Sequence, residues 1–65
     1  METENAIIRG YAGAIFATSE DAVNYTVGLG EDLEQNKAII ATLNVVLEAI
    51  RSHTVLLQQA LDNYK

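Results

Sequence analysis

From Glu31 to Lys65 the chain contains neither glycine nor proline, and these 35 residues constrain the fold more than any other feature. All four glycines, Gly10, Gly13, Gly28 and Gly30, lie before this stretch, and the whole sequence has no proline. A segment without either breaker can run as one helix, here about 52 Å long at the α-helical rise. Glu31, Asp32 and Glu34 sit where acids suit the positive end of a helix dipole, and Lys65 stands at the opposite end.

The apolar residues of this stretch follow a heptad. With Leu33 at position a, the a positions read Leu33, Ile40, Leu47, Thr54 and Leu61. The d positions read Asn36, Leu43, Ile50, Leu57 and Tyr64. Eight of these ten are apolar and none is charged, so the seam is a stripe rather than a generally apolar segment. A stripe kept over nearly five heptads predicts a coiled coil or a long bundle helix. Position g adds Ile39, Val46 and Ala60, and an apolar g calls for three or more helices, or a hairpin, around the seam. Asn36 and Thr54 are polar seam positions of the kind that set register.

A 14-residue repeat decorates the outside. Leu33-Glu34-Gln35-Asn36-Lys37 recurs as Leu47-Glu48-Ala49-Ile50-Arg51 and as Leu61-Asp62-Asn63-Tyr64-Lys65. Each copy sets an acid at b and a base at e, three residues later on the same face. Such pairs support a helix by roughly 0.2–0.5 kcal/mol each.

Residues 5 to 27 admit two conformations. As a helix, the same frame runs back through Ile8, Ala12, Ile15, Ser19, Ala22, Thr26 and Leu29, leaving Glu20, Asp21 and Asn24 on the outer face. Thr3 would then be the N-cap, Gly28 the left-handed residue ending the first helix, and Gly10, Gly13, Ala14 and Ala17 a surface for close helix approach. As strands, Val23 to Leu29 alternates and would pair with 13–18 in a β-hairpin. Continuity of the frame and the outward acids favour the helix. The expected fold is therefore all-α. A helical segment over 4–28 and a coiled-coil helix over 31–65 form a hairpin or one long rod, assembled as an oligomeric bundle. An N-terminal β-hairpin before one long helix is the alternative.

Composition narrows the chemistry. Nine acids against four bases leave a net charge of −5, which disfavours nucleic acid as a partner. Without cysteine there is no disulfide framework, thiolate zinc site or thiol chemistry. Met1-Glu2-Thr3-Glu4-Asn5 is acidic where a signal peptide needs positive charge. The longest mostly apolar run, from Ala38 to Leu47, is shorter than the roughly 20 residues of a membrane span. The expected location is the cytoplasm or a viral particle, with no membrane partner.

No catalytic, cofactor or metal set emerges. His53, the sole histidine, has no acid three or four residues away and reads as structural. Gly28-Leu29-Gly30 lacks the third glycine and the lysine of a phosphate loop, and Glu31 and Asp32 would repel phosphate.

Arg9-Gly10-Tyr11-Ala12-Gly13-Ala14-Ile15-Phe16 resembles the Arg-x-Tyr-Ala-x-Ala-Leu-Phe signature that opens the first helix of the ATP synthase delta/OSCP family. The resemblance covers eight of 65 residues and implies helix in that segment; it carries over no function and no site.

A chain this short, with 49% hydrophobic residues and no covalent staple, needs a partner to complete its core. The expected protein is non-enzymatic and self-associating. Leu33, Asn36, Ile40, Leu43, Leu47, Ile50, Thr54, Leu57, Leu61 and Tyr64 form its interface, and it serves as a structural or adaptor component. The alternative is a small acidic inhibitor or regulator that grips another protein through this face or a second patch of Val45, Val55 and Leu56.

Overall fold

A computed structural model describes residues 2–64. Two helices, α1 (Glu2–Thr26) and α2 (Leu33–Asp62), pack side by side as an antiparallel hairpin. The hairpin is a rod, 51 × 15 × 10 Å, with a radius of gyration of 15.3 Å. A globule of this chain length would have a radius of about 11 Å. Residues 13–18 and 23–26 are helical, so the β-hairpin alternative is not seen among the described residues.

The hairpin loop differs in detail from the sequence expectation. No glycine has a positive φ, so Gly28 is not a left-handed cap. Instead the end of α1 tightens: the N–H groups of Val27, Gly28 and Leu29 donate to the carbonyls of Asn24, Tyr25 and Thr26 at 3.3, 3.2 and 3.1 Å. These i→i+3 bonds satisfy the last carbonyls that a helix end leaves open. Thr3 lies inside α1 rather than capping it. The start of α2 falls at Leu33 because Asp32 is its N-cap. The Asp32 carboxylate accepts from the N–H groups of Glu34 and Gln35 at 3.0 and 3.2 Å, a contribution of about 1 kcal/mol. Asn63 closes α2, its N–H donating to the Gln59 carbonyl at 3.0 Å.

Two of the three repeat ion pairs form: Lys37 Nζ to Glu34 Oε1 at 3.3 Å and Arg51 Nη1 to Glu48 Oε1 at 2.8 Å. Both are exposed, so each adds only tenths of a kcal/mol. The third, Asp62 with Lys65, lies outside the described residues.

Candidate association surface

The half-buried residues of α2 show which face meets α1. Asn36, Ile39, Leu43, Val46, Ile50, His53, Leu57 and Ala60 recur at alternating spacings of three and four, and Thr42 and Ala49 beside them are half-buried too. On α1 the same rhythm runs through Glu4, Ile8, Tyr11, Ile15, Thr18 and Ala22, with Asn5 and Ala14 half-buried at its margins. In the heptad frame the alternating series are the d and g columns of both helices, with Thr42, Ala49 and Ala14 in the neighbouring c column and Asn5 in the a column. Because d and g, like a and d, are separated by alternating steps of three and four, either pair can form a packing seam.

The ten expected interface residues therefore divide. Asn36, Leu43, Ile50 and Leu57 lie in the seam with α1, joined by Ile39, Val46, His53 and Ala60 from the g column. The a residues Leu33, Ile40, Leu47, Thr54 and Leu61 are exposed. Leu33 keeps 71% of its surface and even Leu47, at the middle of the helix, keeps 42%. Tyr64 lies beyond α2, where its hydroxyl donates to Asn5 Oδ1 at 3.0 Å and ties the open end of the hairpin together.

Asn36 has a role that its heptad position did not reveal. Its Nδ2 donates to the Gly30 carbonyl at 2.7 Å, and its Oδ1 accepts from the Gly30 N–H at 3.0 Å. One side-chain amide thus pairs with both backbone groups of a loop residue and fastens the loop to the second turn of α2. Thr54 sets no register within the hairpin either; its hydroxyl donates to the Ile50 carbonyl at 2.8 Å on its own helix. His53 faces the seam, with Nδ1 buried and lacking a hydrogen-bond partner.

Two apolar surfaces remain uncovered. In an antiparallel pair, like-lettered flanking columns share one side of the seam. The a column of α2 therefore lies on the same side as the a and e columns of α1, which carry Phe16 (68% exposed) and Val23 (64% exposed). Ile7 and Leu56 line one groove of about 260 Å³ with Tyr11 and Ala60 on the other side of the seam. Leu33, Ile40, Leu47 and Leu61 of α2 and Phe16 and Val23 of α1 are thus exposed apolar residues on one side of the hairpin. The second expected patch is looser. Leu56 joins Ile7 in the groove, whereas Val45 and Val55, both exposed, do not line it. Gly10 and Gly13 also face open space: a Cβ at either would meet nothing within 4 Å, so they mediate no close approach of α2.

By length and composition alone, α2 is also long and apolar enough to cross a membrane. The run that the sequence reading ended at Leu47 continues as helix past Glu48 and Arg51 to Asp62.

Compared with family models, with curated proteins and with solved structures, the chain matches none. The eight-residue likeness at Arg9–Phe16 does not extend to a family match, although the segment is helical as it implied.

Proposed function

We propose that the hairpin is one protomer of a self-associating helical bundle that acts as a structural or adaptor component of a larger assembly. The observation carrying this reading is that no described residue is buried, although 49% of the chain is hydrophobic. The surface area says the same quantitatively. The chain exposes 4831 Å², whereas a globular protein of its 7.1 kDa mass exposes about 4,100 Å². The excess, roughly 700 Å², is close to the 800 Å² or so that one partner contributes to a standard interface. Two helices alone have no third layer to cover the a column, and bundles of four supply it.

A bilayer would be an unfavourable place for α2. Glu48 and Arg51 fall in the middle of the helix, and each charge at a bilayer centre costs roughly 2.5–3.5 kcal/mol on insertion scales. Asn44, His53 and Gln58 add further polar groups along the same span. A protein interface accommodates these residues at its rim.

Sedimentation equilibrium or light scattering across a concentration series tests the proposal. A stable oligomer is expected at micromolar concentration. A folded monomer throughout would refute self-association. The exposed Val45, Val55 and Leu56 would then favour the second reading, a small inhibitor or regulator docking on another protein.

A further inference from the structure

We infer that the side of the hairpin carrying the exposed a column is a docking face for an acidic amphipathic helix of another protein. This goes beyond the self-association proposed above, because it gives the same side a non-identical partner of stated chemistry. The three Lys and Arg residues of the two helices, Arg9, Lys37 and Arg51, all fall in the e column. The fourth base, Lys65, lies outside the described residues. Position e flanks a, and the a columns of both helices share one side of the seam. The bases therefore share that side with the exposed Leu33, Ile40, Leu47 and Leu61. The acids of the helices are set elsewhere: Glu20, Glu34, Glu48 and Asp62 in the b column, Asp21 in c and Glu4 in g. Only Glu2, in the first turn of α1, joins the bases in the e column of the described helices.

A chain of net charge −5 thus turns its bases to the side where its apolar residues are least covered. Arg9 is exposed and forms no ion pair among the described residues. Lys37 and Arg51 do pair with Glu34 and Glu48, one column further out. Both pairs are exposed and weak, so a carboxylate arriving at the e column competes for these bases. Leucine or isoleucine every seven residues along α2 supplies the apolar contacts that an amphipathic helix uses when it lies along a groove. Flanking charges then set partner choice. A second copy apposed through the same side brings bases toward bases, with Glu2 as the only acid in either e column. A helix with acids flanking its apolar stripe meets those bases with opposite charge. An anionic lipid surface is a poorer match. Such surfaces recruit clusters of about 4–8 bases, whereas here three are spread along two helices and the b-column acids lie beside them.

Fluorescence anisotropy with labelled synthetic peptides tests the inference. One four-heptad peptide carries leucine at a and d and glutamate at e and g; its counterpart carries lysine at e and g. The full chain is expected to bind the glutamate peptide at least about tenfold more tightly than the lysine peptide, with affinity falling as salt rises. The overall charge of −5 favours the opposite order, so the preference reports the face and not the whole molecule. Arg9→Glu and Arg51→Glu, both at exposed positions, should reduce or reverse the preference while the helical circular dichroism signal is kept. Val45→Ser, in the f column, should leave it unchanged. Equal binding of the two peptides, preference for the lysine peptide, or binding of neither would overturn the inference. Binding to phosphatidylserine vesicles without binding of the glutamate peptide would overturn it in favour of a lipid surface. The mass of the chain alone across a concentration series tests self-association separately. A monomer that prefers the glutamate peptide refutes only self-association, and an oligomer without that preference refutes only the acidic partner.

Discussion

Asn36→Ala should loosen the hairpin far more than its exposed setting suggests. The substitution removes two hydrogen bonds at once, at 3.0 and 2.7 Å, both to the backbone of Gly30. A hydrogen bond contributes about 0.5–1.5 kcal/mol net; because these bonds are solvent-accessible, the pair together should be worth about 1.5 kcal/mol. In a domain of this size, 1 kcal/mol corresponds to roughly 4–8 °C in Tm, so the variant should melt roughly 6–12 °C lower. The assay is far-ultraviolet circular dichroism during heating. Wild type and variant must be at equal concentration, because association makes Tm concentration-dependent. A local measurement separates the clamp from a general loss of packing. The Gly30 N–H is protected by Asn36 Oδ1, so its hydrogen exchange should accelerate in the variant, while amides in the middle of both helices slow or quicken only with global stability. If Asn36 instead served only to set register between chains, Asn36→Ala would leave Gly30 exchange unchanged and would alter the oligomer mass. That result would refute the loop clamp.

The other expectations follow from the same geometry. Leu47→Asp should abolish association while retaining the helical signal, because Leu47 stands outside the seam with α1. Leu57→Asp, within that seam, should unfold the hairpin, and sedimentation with circular dichroism distinguishes the two. Asp32→Ala removes the cap that accepts from Glu34 and Gln35 and should destabilise α2 by about 1 kcal/mol, read as a lower Tm; Asp32→Asn should recover most of it. Gly10→Ala and Gly13→Ala, each with open space around the added Cβ, should each stabilise α1 by about 0.5–1 kcal/mol. A fall in oligomer mass for either would show that another copy approaches α1 there.

The two helices were legible because their determinants are local, whereas sequence alone left a hairpin and one long rod equally open. A glycine- and proline-free run, acids at the start of α2 and a pair of glycines between two periodic segments all act within a few residues of where they lie. The strand alternative arose from Val23 to Leu29, whose alternation of apolar and small residues also fits a helix end. There Val23 stands exposed, and the i→i+3 bonds from Val27 to Leu29 absorb the rest. The division of the seam was less legible in α2 alone. Its a, d and g columns are all largely apolar and span about 120° of the helix surface, whereas one neighbouring helix covers only two adjacent columns. The discriminating signal lies in α1. Its d and g columns carry Glu4, Ile8, Tyr11, Ile15, Thr18, Ala22 and Tyr25, while its a column carries Asn5, Ala12, Ser19 and Thr26. A helix buries its more apolar columns first, so α1 takes the d and g columns of α2 and leaves the a column unmatched. The surplus of apolar columns on α2 over those α1 can cover is therefore a property of the two sequences together. Leu33, Ile40, Leu47 and Leu61 stay exposed in the hairpin because α1 has no further apolar column to set against them. Their placement at a strict seven-residue interval, broken only by Thr54, is what a second helix running along α2 would require.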